Sequence, residues 1–289
     1  LDGGKSFTNM VLKDSGHIGQ IAFHPDDGNV VYVAAQGPLW STGGDRGFYR
    51  SSDAGATWER LLHVDEYTGA NEFVIHPARP DEIVVSTYQR HRTVWTMIDG
   101  GPGSGLHKST DGGRSWRKLT AGLPGSRDPL GRIGLAMAPS SPDTLYAIIE
   151  GSSAAETGVW RSTDFGETWE KRSGWKPSAA FYYNEITVDP HDPDRIFAVD
   201  TFTSISEDGG KSFTRLSFED KHVDDHAVWI NPENTRHIRI GGDGGVYESY
   251  DRGQTFRHVR NLSITQFYRA TPDNAEPFYN VYGGTQDNN

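Results

Sequence analysis

Two aspartates are placed where carboxyl chemistry could occur. Asp200 follows the β-branched and aromatic run 196–199, and Asp243 follows the run 238–240 and precedes Gly-Gly. Hydrolysis of a glycosidic bond needs two carboxyl groups, about 5–5.5 Å apart for retention or about 6.5–9.5 Å for inversion. We interpret Asp200 and Asp243 as candidate catalytic carboxylates. In the alternative interpretation, Asp243 only caps a glycine-rich turn through backbone hydrogen bonds.

A second cluster has the residue types of a metal site. His222, Asp224, Asp225 and His226 lie within five residues, and these types suit Zn²⁺, Mn²⁺ or Ca²⁺. In an extended segment, alternation would place His222, Asp224 and His226 on one side as ligands. A fourth ligand would have to come from elsewhere, so a structural calcium or other divalent ion is one option. A polar entry to the strand that follows is the other.

A repeated turn organises the chain that must position these residues. The motif is Ser-x-Asp-x-Gly-x-Ser/Thr-Trp/Phe, in which the aspartate accepts backbone hydrogen bonds and the glycine supplies a positive φ. Its six aspartates are Asp2, Asp53, Asp111, Asp164, Asp208 and Asp251. Six copies at comparable spacing indicate a repeat architecture in which these aspartates are structural.

A second repeat with the same register defines the strands. Short apolar runs that end near Pro are each followed by a polar turn and a β-branched or aromatic run. Four short strands in each repeat predict an all-β propeller of four-stranded antiparallel blades. We predict five complete blades near residues 17–63, 71–120, 132–173, 184–217 and 225–260. Residues 1–263 would then hold one partial and five complete blades, with a strand at 5–12, and residues 264–289 would begin a further blade or a second propeller.

The predicted fold collects a set of polar and aromatic residues at one mouth of the channel. Loops between blades, and between the second and third strands of a blade, usually form the ligand face of a propeller. The longest such loop is predicted at 86–105. The candidate ligand-binding residues are Gln36, Trp40, Tyr88, Gln89, Arg90, Arg92, Trp95, Glu150, Tyr182, Tyr183, Gln286 and Asp287. Such a surface suits a polysaccharide or a protein or peptide ligand.

Several of these side chains have a second interpretation. Trp40, Trp95 and Trp175 could stack on sugar faces, or each could fill a space between blades. Arg90 and Arg92, together with Arg132, could bind a carboxylate through paired N–H groups, or could be solvated loop charges.

Composition excludes several classes of function. The 289 residues carry a net charge of −11, which disfavours nucleic acid as a partner. There is no cysteine, so disulfide scaffolds, thiolate nucleophiles and cysteine metal sites are excluded. No apolar run is long enough to predict a transmembrane segment.

The repeated turn resembles the Asp-box (BNR) repeat of sialidases, xyloglucanase-type glycoside hydrolases and sortilin. The segments 17–21, 100–106, 131–134, 241–245 and 284–288, most of them Gly-rich, are similar to those of large bacterial sortilin-like BNR-repeat proteins, often labelled glycosyl hydrolases. The resemblance implies a segment of a longer chain, contacts with a second propeller, and a secreted, periplasmic or cell-surface location. It also implies that the Asp boxes lie at the blade periphery, away from the ligand.

The resemblance leaves two functions open. One is a ligand-binding or protein-interaction module that uses its acidic, aromatic mouth. The other is a xyloglucanase-like glycoside hydrolase whose cleft is completed by parts of the protein outside this sequence. In the xyloglucanase-like pattern an Asp before Gly-Gly at a strand end is catalytic, and Asp243 matches it, but the catalytic pair is split between two propellers. The matching position in the first complete blade is Gln36, which cannot act as an acid or base.

Overall fold

The computed structural model describes residues 5–10, 12–125, 128–262 and 266–287. The predicted Asp-box residue Asp2 lies outside these residues. The described part of the chain contains 23 strands and no helix, and the paired strands within each sheet are antiparallel. It therefore confirms the predicted all-β propeller fold with four-stranded blades. Nothing in the described ranges forms a helix long and apolar enough to cross a membrane.

The strands form five large sheets and one small one, in chain order. The first sheet comprises β1 (Ile18–Phe23), β2 (Val31–Ala35), β3 (Gly47–Ser51) and β4 (Glu59–Leu62). The second comprises β5 (Thr68–Ile75), β6 (Ile83–Arg92), β7 (Met97–Asp99), β8 (Gly105–Ser109) and β9 (Arg117–Lys118). The third comprises β10 (Ile133–Ala138), β11 (Ser141–Ile149), β12 (Gly158–Ser162) and β13 (Glu170–Ser173). The fourth comprises β14 (Ile186–Asp189), β15 (Asp192–Ala198), β16 (Ser204–Ser206) and β17 (Thr214–Arg215). The fifth comprises β18 (Asp225–Ile230), β19 (Ile238–Gly242), β20 (Gly245–Ser249) and β21 (Arg257–His258), and β22 (Phe267–Pro272) pairs with β23 (Val281–Thr285).

The hydrophobic core lies between neighbouring sheets. The first strands β1, β5, β10, β14 and β18 contact one another in succession. Phe48 of the first sheet packs on Phe73 of the second, with ring centroids 4.8 Å apart. Val84 and Trp160 belong to the cluster between the second and third sheets. Because both faces of an internal sheet are covered, its central strands are rich in apolar residues on both sides.

The Asp boxes form the predicted outer turns. In the second blade the Asp111 carboxylate accepts hydrogen bonds from the Ser115 N–H at 2.9 Å and from the Ser115 hydroxyl at 2.6 Å. The Ser109 hydroxyl accepts the N–H of Gly113, whose φ is +90°. The hydrogen bonds that the Asp111 carboxylate accepts, that of the Ser115 hydroxyl first, lower the pKa of Asp111 to about 2. The carboxylate is therefore fully occupied by its own turn.

The aromatic residue that closes each box ties one blade to the one before. The Trp116 indole donates to the Leu61 carbonyl in β4 at 3.0 Å. The Trp58 indole makes the same type of hydrogen bond to the Met10 carbonyl at 2.8 Å. Residues 5–10 and 12 form no strand, although a strand was predicted there. Met10 nevertheless occupies the place that an outer strand takes in the next blade.

The longest predicted loop is partly a strand. β6 continues to Arg92 and pairs with β7, so the second sheet has five strands. The hairpin turn is closed by the Thr93 N–H, which donates to the Thr96 carbonyl at 2.8 Å. The prediction of a loop over 86–105 was wrong here because residues 87–92 continue β6, and residues 90–92 pair with β7 after the chain turns.

Candidate functional site

The ends of the second strands meet the starts of the first strands along one edge of the array. Backbone N–H groups at the second-strand ends donate to carbonyls at first-strand entries in each blade. These pairs are Gln36 with His17, Arg90 with Tyr67, Glu150 with Arg132, Val199 with Glu185, Asp243 with Asp224, and Gln286 with Gln266. The predicted mouth residues therefore come from equivalent positions.

Several predicted ligand-binding residues are instead used to hold this edge together. The Gln36 side chain is buried and donates to the Asn71 side chain of the next blade at 2.6 Å. Tyr88 is buried, and its hydroxyl donates to Asp99. The Gln89 side chain accepts the Gly103 N–H at 3.0 Å. Tyr183 is buried and donates to Asp224, so these four side chains already have protein partners.

Other predicted residues face solvent. The Trp95 side chain at the tip of the β6–β7 hairpin is 91% exposed, and Trp40 in the β2–β3 loop is 60% exposed. The Arg92 guanidinium lies 5.4 Å from the centre of the Trp40 ring. Tyr182 is also exposed. Trp175 differs, because it stacks on Phe213 and packs against the core between the third and fourth blades.

The two candidate carboxylates lie on either side of the entry to β18. The Asp225 N–H donates to the Asp200 carbonyl at 3.3 Å, and the Asp243 N–H donates to the Asp224 carbonyl at 3.1 Å. The Asp200 carboxylate accepts the N–H and the hydroxyl of Ser178, at 3.0 and 2.5 Å. Asp200 thus caps a turn as well as facing this edge.

Asp243 has a more open environment. Its carboxylate lies 3.0 Å from Nε2 of His226 and keeps 33% of its side-chain surface exposed. It lines a cavity of about 920 Å³ between the fifth blade and β22–β23, which Gln286 and Asp287 also line. A partly exposed carboxylate beside an imidazole can accept a proton from a bound molecule or donate one to it.

The predicted metal ligands do not converge. No three His, Cys, Asp or Glu side chains of the described residues are grouped so that they could hold one ion. Asp224 has a φ of +69° and accepts the Tyr183 hydroxyl, while His226 pairs with Asp243. The left-handed conformation of Asp224 breaks the strand alternation on which the prediction of His222, Asp224 and His226 as ligands depended. That prediction was wrong in its geometry.

Buried charges also line the first strands. The Arg132 guanidinium lies 3.9 Å from the Glu72 carboxylate and 3.7 Å from that of Glu185. Burial raises the pKa of Glu72 to about 8, against the opposing effect of Arg132. Burial also raises the pKa of Asp99 and that of Glu150, and the charge of Asp99 adds to the shift of Glu150. Asp99 and Glu150 line a common pocket of about 210 Å³.

Comparisons with known proteins agree with the propeller fold. Residues 1–127 match the family described as Sortilin-Vps10 (sortilin, neurotensin receptor 3), and residues 160–171 match the BNR/Asp-box repeat. The crystal structure of the GH74 xyloglucanase from Xanthomonas campestris superposes with a TM-score of 0.63 at 19% identity, over 92% of this chain and 43% of that one. The chain is an Asp-box β-propeller that resembles the GH74 xyloglucanases.

Curated relatives of the Asp-box propeller are xyloglucanases as well. The chain is 28% identical over 191 residues to a probable oligoxyloglucan-reducing end-specific xyloglucanase of Neosartorya fischeri, covering 62% of this chain and 21% of that protein. It is 24% identical over 270 residues to xyloglucanase Xgh74A of Acetivibrio thermocellus, covering 82% of this chain and 30% of the relative. The Asp-box propeller therefore spans less than a third of each of these two relatives.

The sequence alone did not identify three acidic residues that lie at this edge of the Asp-box propeller, namely Asp99, Glu72 and Glu185. Asp99 lies in the segment predicted as a loop, and its position opposite Arg90 appears only once β7 pairs with β6. Glu72 offered a usable signal, because it is the one charged residue of the first strand β5, directly before the apolar run 73–75. Glu185 precedes β14 in a similar context.

We expect the raised pKa of the Glu72 carboxyl to make the free energy of unfolding depend on pH. Its pKa is about 8 in the folded protein, against about 4.3 when unfolded. The folded state therefore binds the extra proton, and the free energy of unfolding falls as pH rises from about 4.3 to about 8. Glu72→Gln should reduce this slope, which can reach about 1.4 kcal/mol per pH unit. Urea titrations at successive pH values measure it.

The exposed Glu59, paired with Arg50, provides the control for that experiment. Glu59→Gln should leave the slope unchanged. An equal slope in wild type and Glu72→Gln would show that the Glu72 carboxyl is ionised in the folded protein at pH 7.

Proposed function

We propose that this chain is the part of a glycoside hydrolase that binds a β-linked polysaccharide across the edge formed by the second-strand ends. Asp243 serves as one catalytic carboxylate, and the rest of the cleft comes from parts of the protein outside this chain. The observation that carries the proposal is the open position of Asp243 beside His226 on the large cavity. The similarity to xyloglucanases over 82% of the chain supports the choice of reaction.

The exposed aromatic residues supply the binding surface in this proposal. Trp95 and Trp40 present flat apolar faces to solvent on the second and first blades. Sugar rings have apolar faces of similar size, and an aromatic ring gains free energy by covering them. A chain of sugars that crosses the edge from Trp95 towards Asp243 would pass the charged residues of the intervening blades.

Binding without hydrolysis is the second candidate, and the state of Asp200 favours it. A carboxylate that accepts two hydrogen bonds from Ser178 is held as a turn cap, so Asp200 is not free to act as a second catalytic carboxyl. In either function we propose contacts with a second propeller and a secreted, periplasmic or cell-surface location, where polysaccharides occur.

An activity screen distinguishes the two candidates. The full-length protein is incubated with a panel of β-linked polysaccharides, and new reducing ends are measured together with retardation in gels that contain each polysaccharide. The hydrolase predicts both signals for at least one β-glucan. Retardation without new reducing ends supports the binding module, and the lack of both signals contradicts the proposed function.

A further inference from the structure

The imidazole of His226 is held beside the candidate carboxylate by a buried tyrosine. Tyr183 stacks on the His226 ring, with ring centroids 5.4 Å apart and an angle of 18° between the ring planes. The Tyr183 side chain is buried, and its hydroxyl donates to the Asp224 carboxylate and accepts the Thr201 hydroxyl at 3.3 Å. Because both the ring and the hydroxyl of Tyr183 have partners, Tyr183 presents a fixed face to His226.

The backbone that carries His226 is fixed as well. The carboxylate of the preceding residue, Asp225, is buried and accepts hydrogen bonds from the Lys221 ammonium at 2.7 and 2.8 Å. The Asp224 N–H donates to the Thr201 carbonyl at 2.9 Å. In these surroundings Asp224 keeps a φ of +69°, a conformation that a residue other than glycine retains when its neighbours enforce it and that is frequent at functional sites.

Two carboxyl groups lie near the His226 ring, and one of them pairs with it directly. Burial raises the pKa of Glu185, and the nearby charges of Arg132 and His226 oppose this rise. The direct partner of the Glu185 carboxylate is the Arg132 guanidinium, at 3.7 Å. Nε2 of His226 instead lies 3.0 Å from Oδ1 of Asp243, and the two side chains keep 39% and 33% of their surface exposed. Both members of this pair are therefore open to the cavity that Asp243 lines.

We propose that His226 is a positioning residue, which orients the Asp243 carboxylate towards a polysaccharide in the cavity. An imidazole N–H can donate to a carboxylate, and a catalytic group is commonly held in place by a partner of this kind. Two members of the cluster that has the residue types of a metal site, Asp224 and His226, then serve to orient this carboxylate, Asp224 through its hydrogen bond with Tyr183. This role rests on the proposed function, because it takes Asp243 to be catalytic.

Steady-state kinetics of the full-length protein test this role with two substitutions of similar length. His226→Met removes the N–H donor, whereas His226→Gln keeps one. On a polysaccharide that wild type hydrolyses, His226→Met is expected to lower kcat at least about tenfold and to leave KM within about twofold, because a displaced catalytic group costs rate and not substrate binding. His226→Gln should recover most of that loss. His191→Met replaces an exposed histidine in the β14–β15 turn and should keep the wild-type kcat.

A double variant shows whether His226 acts through Asp243. Adding His226→Met to Asp243→Asn should cause no further loss of kcat, since the effects of residues that act as one unit are not additive. Equal losses in His226→Met and His226→Gln, or a full further loss in the double variant, would overturn the positioning role and leave the proposed function intact. A wild-type kcat in His226→Met would do the same. If wild type hydrolyses none of the polysaccharides, the positioning role and the proposed hydrolase are both contradicted.

Discussion

Replacing Asp243 by Asn in the full-length protein is expected to lower kcat/KM for polysaccharide hydrolysis by at least about 100-fold, the usual contribution of a positioned acid or base. Asn has the same shape as Asp but cannot exchange a proton, and the His226 side chain can still hydrogen bond to it. The fold should be unaffected, because Asp243 is partly exposed and its backbone makes the hydrogen bond to Asp224. Initial rates of reducing-end release at several substrate concentrations measure the effect.

Two further variants sharpen that result. Asp200→Asn tests the other candidate carboxylate, and a comparable loss would identify Asp200 as the partner despite its hydrogen bonds to Ser178. Asp26→Asn changes an exposed carboxylate in the β1–β2 turn, at the opposite end of β2 from Gln36, and should keep the wild-type rate. Unchanged turnover in Asp243→Asn would remove Asp243 from the mechanism.

The largest loss of stability is expected for Arg46→Ala. The Arg46 guanidinium is fully buried and donates to the carbonyls of Gln36 at 2.7 Å, Ser41 at 2.9 Å and Tyr67 at 3.3 Å, and also to that of Pro38. Alanine would leave these acceptors buried without a donor and would open a cavity. Each unsatisfied buried group costs about 1–3 kcal/mol, so we expect a total loss of about 3–5 kcal/mol in the free energy of unfolding.

Chemical denaturation measures the Arg46 effect. Arg114→Ala, at an exposed position, is the control and should change the free energy of unfolding by less than about 0.5 kcal/mol. Because Arg46 also holds the loop that carries Trp40, the variant should bind polysaccharide more weakly even where it remains folded. A loss below about 1 kcal/mol would mean that water replaces the guanidinium at these carbonyls.

The repeat explains why the fold could be predicted and much of the site could not. Asp111, Gly113 and Trp116 act within one turn or between adjacent blades, so their roles follow from local spacing. Asp224 could not be placed from spacing in this way, because a single residue in the left-handed conformation changes which neighbouring side chains lie on the same face of the strand.

Whether an individual aromatic or charged side chain is buried or exposed depends on contacts between blades. Trp175 and Trp95 are the same residue type on predicted mouth loops, yet one packs on Phe213 and the other is solvated. Arg46 was not identified because its four acceptors come from two loops that meet only in the folded protein.

The most direct test of the account is a crystal structure of full-length Asp243→Asn soaked with a β-glucan oligosaccharide. The account predicts sugar density along the second-strand ends, in contact with Trp40 or Trp95 and reaching the side chain at position 243. Density at the outer Asp boxes, or at the opposite end of the strands, would contradict it.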